Sequence, residues 1–298
     1  MESISFYKYH GLGNDFVLID RRESGFPPCA AQWAEELCSR RRGIGADGIL
    51  FLLNPGEKTG CVAAMRIFNA DGSEAEMCGN GLRCVAKHLM DYSGMRGGFL
   101  VETGAGVLEC SVDDKPGKKL SEVSVEMGRP RRTRAEIPML GDGELVAETG
   151  IFEGIDPELG FTAVSMGNPH LVCFLPEGKP GSVKKWAGEL GPVLEVHPLF
   201  PNRTNVSFVE MTGENSWNAA VWERGVGLTE SCGTGACAIA TAACMEGRGE
   251  LGCRQKVSLP GGDLHIRVDK DYSGVVMLGP AEFVFTGEIR PKGISKTR

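Results

Sequence analysis

Apolar and polar positions alternate with a period of two in V-S-V-E-M (123–127), V-S-F-V-E-M (206–211) and L-H-I-R-V (264–268). Runs of this kind predict half-buried strands, so the chain reads as strand-rich. Helical spacing is confined to fewer stretches, the best being 30–40, 80–92 and 234–245. The last, T-G-A-C-A-I-A-T-A-A-C-M, has no polar face. A helix apolar all round is buried on every side, which places 234–245 in the middle of a domain. K-P-G-K-K (115–119) predicts a turn between strands, and 129–150, with R-R-T-R, two prolines and G-D-G, predicts a connection between halves.

G-I-G-A-D-G (43–48) matches a dinucleotide-binding fingerprint in letters only. That fingerprint needs a strand before it and a helix after it. Here an arginine-rich helical run precedes it and strand-like I-L-F-L-L follows, so the match is rejected and Gly43 is expected to cap the preceding helix.

C-G-N-G at 78–81 returns as C-G-T-G at 232–235, an offset of 154 residues, about half the chain. The same offset superposes Ile67-Phe68 on Val221-Trp222, Asn69 on Glu223, Glu76 on Glu230, and L-G-N (12–14) on M-G-N (166–168). With small gaps, G-A-G-V-L (104–108) matches P-G-G-D-L (260–264). Matches in one order at nearly one offset imply two copies of one fold, expected to face each other across a cleft. The expected lobes are residues 1–128 plus 284–298, carrying Cys78, and residues 129–283, carrying Cys232.

The length of 298 residues suits two domains. A net charge of −7 with scattered basic residues argues against a nucleic-acid surface and for a small-molecule substrate. No apolar run reaches the ~18 residues of a membrane span, and M-E-S-I-S-F does not open a secretion signal, so no membrane association is expected. Eleven cysteines, an odd count in a long chain, are expected to be thiols. Cys78/Cys84 and Cys232/Cys237 fit zinc spacing poorly, and no metal is expected. Cys38 and Cys173 read as small buried hydrophobes.

In each copy a strand, then Cys-Gly-x-Gly, then a helix follow in order. Glycines permit close backbone approach, and a helix start presents unpaired N–H groups and the positive end of its dipole. Such an end binds a carboxylate or phosphate and lowers the pKa of a cysteine placed on it. One such cysteine suggests a nucleophile or base; two related by a repeat suggest acid/base groups on opposite faces of one carbon, the geometry of racemisation. No cofactor motif supplies an electron sink, so none is expected. Helix N-termini gripping an α-carboxylate in a water-excluded site would then stabilise the carbanion.

At these residues the chain resembles the diaminopimelate epimerase family almost end to end. The carrying stretches are H-G-L-G-N-D-F (10–16), R-I-F-N-A-D-G-S-E (66–74), M-C-G-N-G-L-R-C (77–84), S-M-G-N-P-H (165–170), R-T-N-V-S-F (203–208) and W-E-R-G-V-G-L-T-E-S-C-G-T-G-A-C-A (222–238). The resemblance implies an α/β (α+β) fold of two pseudosymmetric lobes, each a barrel-like, mostly antiparallel sheet around a central helix. It implies an isomerase that converts LL- to meso-diaminopimelate in lysine biosynthesis without pyridoxal phosphate, commonly as a homodimer. The expected location is the cytoplasm, or the plastid stroma in a photosynthetic eukaryote.

By the same resemblance Cys78 and Cys232 are the acid/base pair, with Cys78 deprotonating the LL isomer. His170 falls beside the first thiol and Glu223 beside the second, where each can accept a thiol proton. Asn14, Asn69, Asn168, Asn205, Glu223 and Arg224 fall on substrate-binding positions, and Gly79, Asn80, Gly233 and Thr234 on the anion-binding turns. An arginine fork suits a distal carboxylate, and asparagine amides read ammonium and carboxylate without adding charge. Gly48 departs from relatives that carry glutamine there, so any side-chain contact at that position is absent. Proline-type and histidine-type racemases on the same scaffold are the alternatives, along with a non-catalytic binding protein whose facing thiols oxidise to a disulfide. Arg224 with Asn69 and Asn205 favours a substrate with a distal carboxylate.

Overall fold

In a computed structural model, which describes residues 3–56, 60–179 and 181–290, the chain divides into two units. Unit 1 comprises Met1–Val125 with Gly279–Arg298, and unit 2 comprises Glu126–Leu278. Residues 291–298, part of the expected first lobe, lie outside the described residues.

Unit 1 runs β1 (Ile4–Gly11), β2 (Asn14–Asp20), α1 (Ala30–Leu37), β3 (Gly48–Leu53), β4 (Ala63–Asn69), β5 (Glu74–Ala75), α2 (Gly79–Ser93), β6 (Gly97–Thr103), β7 (Gly106–Val112) and β8 (Leu120–Glu126). Unit 2 runs β9 (Glu148–Thr149), β10 (Gly160–Ser165), β11 (Pro169–Phe174), α3 (Val183–Glu195), β12 (Asn205–Gly213), β13 (Ser216–Glu223), β14 (Gly227–Leu228), α4 (Gly233–Met245), β15 (Arg254–Leu259), β16 (Gly262–Val268) and the start of β17 (Val275–Ile289). The later part of β17 belongs to unit 1, where it pairs antiparallel with β1 from Ile4↔Ile289 to His10↔Glu282.

The pairing scheme is the same in both units. In unit 1, β1–β2, β3–β4, β4–β5, β6–β7 and β7–β8 are antiparallel, while β2–β3 and β4–β6 are parallel. In unit 2, β10–β11, β12–β13, β13–β14, β15–β16 and β16–β17 are antiparallel, while β11–β12 and β13–β15 are parallel. A parallel pair needs a crossover connection, and each of the four is bridged by a stretch containing one of the four helices. Pairing of β17 with β8 closes the unit 1 barrel. Unit 2 closes through 127–131, where Met127 N–H donates to Val275 O at 2.7 Å and Arg131 exchanges two 2.9 Å bonds with Ser165.

Helices α2 and α4 lie inside their barrels. Every residue of α2 from Gly79 to Met90 is buried, including Arg83, Lys87 and His88. Burial of such groups requires partners. Arg83 Nε donates to Pro280 O at 3.1 Å, Lys87 Nζ donates to Lys118 O at 2.6 Å and pairs with Asp91 at 2.9 Å, and His88 Nδ1 meets Tyr9 OH at 3.2 Å. Helix α4 buries small apolar residues on every face, as its sequence requires. Helices α1 and α3 belong to separate apolar clusters, Trp33 and Leu37 with Phe51 and Phe68, and Ala187 and Leu194 with Phe161, Phe208 and Ala220.

Two local expectations change. Gly43 is not the cap of α1, which ends at Leu37 with Cys38 following. Instead the loop folds back so that Ile44 and Gly45 N–H donate to Leu37 O, and a Cβ on Gly43 would stand 2.3 Å from Glu36 O. The stretch 129–150 is no mere connection: Ile137, Met139 and Leu145 are buried in the unit 2 core. Helix α3 was not among the expected helices, although Val183, Trp186, Ala187, Leu190 and Leu194 fall on one helical stripe packed into the unit 2 core.

Candidate functional site

Cys78 and Cys232 occupy the same structural position in their units. Each is the residue before a buried helix, in extended conformation, with its sulfur accepting the N–H three residues on. Gly81 N–H donates to Cys78 Sγ at 3.4 Å and Gly235 N–H donates to Cys232 Sγ at 3.3 Å. The second glycine of the motif is tightly packed, since a Cβ on Gly235 would sit 3.1 Å from Cys232 Sγ and 3.2 Å from Val221 Cγ2. The sulfurs thus take the capping role that a serine or aspartate oxygen usually fills.

In unit 1 the thiol of Cys78 donates to Asn14 Oδ1 at 3.9 Å, and Asn80 Nδ2 donates to the same oxygen at 3.0 Å. Asn14 stands at the start of β2, after a turn in which Leu12 and Gly13 take positive φ. Its Nδ2 donates to Asp47 Oδ2 at 2.9 Å. Asp47 also accepts from Arg40, which pairs with Asp15; Lys8 completes the group with a 2.6 Å ion pair to Asp15. Burial opposes ionisation of Asp15, but its bonds to Arg40 and Lys8 hold its pKa down to about 2. Asn69, at the end of β4, is tied separately to Ser73 at 3.0 Å and does not join the Cys78 network. At Gly48, opposite Asn69 in register, a Cβ would meet Phe68 O at 2.7 Å.

Unit 2 gathers most of its expected residues into one chain of contacts. His170, on β11, places Nε2 3.1 Å from Asn168 Oδ1; Asn168 Nδ2 donates to Thr234 Oγ1 at 3.4 Å; Thr234 Oγ1 lies 3.6 Å from Cys232 Sγ. Cys232 is hydrogen-bonded to the Glu223 side chain, which also accepts from Thr229 Oγ1 at 2.6 Å. Asn205 links two segments: its Nδ2 donates to Pro169 O at 2.7 Å and its Oδ1 accepts Arg224 N–H at 3.0 Å. Arg224 NH1 donates to Asn202 O at 3.1 Å. Gly233 opens α4 and Gly79 opens α2.

The electrostatics of unit 2 run against the pKa lowering expected of a cysteine at a helix start. Burial and the nearby Glu223 carboxylate push the Cys232 thiol well above its ordinary range, outweighing the Thr234 hydroxyl and the Gly235 N–H at the helix start. Burial raises the Glu223 carboxyl as well, against its bonds from Thr229 and Cys232. His170, fully buried, is pushed down to about 3 by burial and by the charge of Arg224, so it is neutral at physiological pH. Its Nδ1 has no hydrogen-bond partner among the described residues.

Two participants lie outside the expected set: Asp47, in the rejected G-I-G-A-D-G string, and Thr229, within the quoted stretch 222–238. Among the described residues no group of three or more His, Cys, Asp or Glu is placed to hold a metal, and no helix is long and apolar enough to cross a membrane.

The family model for diaminopimelate epimerase matches residues 6–133 and 162–284. The chain belongs to that family. It is 47% identical to the diaminopimelate epimerase of Synechococcus sp. (strain JA-3-3Ab) over 289 residues, covering 95% of this chain and 97% of the relative. It is 43% identical to that of Bacillus anthracis over 291 residues, covering 96% and 97%. Among solved structures, a hydroxyproline epimerase from Agrobacterium vitis aligns with a TM-score of 0.68 at 16% identity, covering 97% of this chain and 91% of that one. A phenazine biosynthesis protein of the PhzF family from Bacillus anthracis aligns with a TM-score of 0.65 at 15% identity, covering 98% and 100%. At such identity these structures carry the fold alone.

Proposed function

We propose that this chain epimerises LL-diaminopimelate to the meso form in lysine biosynthesis, as an isomerase that works without pyridoxal phosphate. The observation that carries the mechanism is the matched pair of cysteine caps, one at the head of each buried helix, in a chain of the diaminopimelate epimerase family. Cys78, as thiolate, takes the Cα proton; Cys232, held as a thiol by burial and Glu223, delivers a proton to the opposite face of the same carbon. The C–H bond breaks heterolytically, its electron pair passes into the α-carboxylate as an enolate-like dianion, and re-protonation inverts the centre. The N–H groups at the starts of α2 and α4 supply the anion stabilisation such a carbanion demands.

The Cys232–Glu223 bond gives the thiol a proton-exchange partner after each turnover. His170 is neutral and buried, which suits positioning Asn168 and Thr234 better than acting as a strong base. Arg224 takes the distal carboxylate, with Asn14, Asn69, Asn168 and Asn205 reading the amino-acid heads. Sequence identity of 47% and 43% to diaminopimelate epimerases favours this substrate over proline or histidine. The same reading assigns the chain to the cytoplasm, or the plastid stroma of a photosynthetic eukaryote, as a homodimer, which sedimentation would test.

Reduced protein incubated with LL-diaminopimelate in D₂O is expected to place deuterium at one Cα and form the meso isomer. Absence of exchange would sink the reading, and equal turnover of proline or histidine would redirect it. Cys78→Ala and Cys232→Ala are each expected to abolish epimerisation with the fold intact; near-normal turnover in either eliminates the paired-thiol scheme.

A further inference from the structure

Glu195 is the last residue of α3 and breaks two local rules. A carboxylate at a helix C-terminus opposes the helix dipole, and this one is only 7% exposed, so it also loses water. Residues that violate local consistency mark places where something else is gained.

What Glu195 gains is three donors, two of them from one turn. Its Oε2 accepts the indole N–H of Trp222 at 2.8 Å; its Oε1 accepts the backbone N–H of Gly225 at 2.8 Å and, more loosely, Arg203 NH1 at 3.4 Å. Its own carbonyl accepts Thr204 N–H at 3.0 Å, one residue before Asn205. Trp222 and Gly225 bracket Glu223 and Arg224. The helix is seated hard against that turn, since a Cβ on Gly191 would lie 2.5 Å from Trp222 Cβ and Cγ. Asn205, which accepts Arg224 N–H, grips the turn from the other side.

We propose that Glu195 is a positioning residue: its carboxylate clamps both ends of the Trp222–Gly225 turn and so fixes the direction of the Arg224 side chain toward the substrate. This rests on the reading that Arg224 holds the distal carboxylate. Glutamine at 195 retains the shape but turns one acceptor oxygen into an NH₂ group, which cannot take either the indole or the Gly225 N–H.

The test is a double-mutant cycle on the full enzyme with Glu195→Gln, Arg224→Ala and the combination, measuring kcat, KM and thermal midpoint with LL-diaminopimelate. Glu195→Gln is expected to lower kcat/KM about tenfold, mostly through KM, as the loss of a charge-assisted buried bond implies. In the Arg224→Ala background the same change is expected to cost under about twofold, because the group it positions is gone. Trp222→Phe, which removes the indole donor with part of the ring's packing, should reproduce a weaker form of the KM effect and keeps the test open if Glu195→Gln folds poorly. Wild-type kcat/KM in Glu195→Gln beside a damaged Arg224→Ala overturns this proposal alone, as does a fully multiplicative loss in the double variant. Wild-type kcat/KM in Arg224→Ala overturns both this proposal and the reading beneath it.

Discussion

Asn14 donates to Asp47 through Nδ2 at 2.9 Å, and this one bond decides which way round its amide lies. With the NH₂ group committed to Asp47, the carbonyl oxygen faces Asn80 and the thiol of Cys78. Asp47→Ala removes that commitment and frees the amide to rotate. The expected result is a fall in kcat/KM of roughly tenfold, the order of one charge-assisted bond, with little change in thermal midpoint because Asp47 is half-exposed. Steady-state kinetics beside a melting curve decide it; unchanged kinetics would show that Asn14 needs no such partner.

Cys232 and Glu223 share a second relationship with a measurable sign. Burial first, then the carboxylate's negative charge, disfavour the Cys232 thiolate. Glu223→Gln deletes the charge and should lower the thiol pKa. Alkylation of Cys232, mapped by mass spectrometry across pH 7–10, is therefore expected to quicken in the variant at each pH. Slower alkylation would mean that Glu223 acts on the thiolate in some other way.

Buried thiols elsewhere make stability depend on alkaline pH. Burial pushes Cys38, Cys84, Cys110 and Cys173 up to about 12. Unfolded, these thiols ionise near pH 9, so between about 9 and 12 the unfolded chain releases protons that the folded chain retains. Stability should be untouched by these groups below pH 9 and fall above it, by about 1.4 kcal/mol per pH unit for each thiol. Urea titrations at pH 7.5 and 10 test this; replacing Cys110 and Cys173 by alanine should flatten the fall while lowering stability at both pH values.

Gly235→Ala should separate packing from chemistry. The added methyl presses on Cys232 Sγ and on Val221 Cγ2, and overpacking of this kind costs roughly 1–3 kcal/mol. Since the clash displaces the sulfur itself, kcat is expected to drop about tenfold or more while the protein stays folded at 25 °C. A variant with normal kcat and a lowered melting point would place the strain away from the thiol.

Much of this arrangement was legible before any coordinates. The offset between Cys78 and Cys232 announced a duplication, and the duplicated strand pairings and helix caps bear it out. The unbroken apolar character of 234–245 led directly to a helix inside a barrel. What stayed hidden was long-range. The bonds from Glu195 reach 27 and 30 residues along the chain, and that between Asp47 and Asn14 reaches 33. No local pattern encodes such partners, and the helix that carries Glu195 was not among those expected. The pKa lowering expected at a helix start does not hold at Cys232 for a related reason, because burial outweighs the helix start.

Because each sulfur is also the cap of the helix running through its barrel, ionisation and architecture share an atom. A thiolate accepts the Gly81 or Gly235 N–H more strongly than a thiol does, so every proton transfer tightens or loosens the first turn of a central helix. An alkylating inhibitor would then do more than block chemistry: it would convert a capping acceptor into a bulky thioether and should register as a shift in the melting curve. Thermal shift thereby becomes an activity-independent gauge of whether an inactivator has reached a capping sulfur.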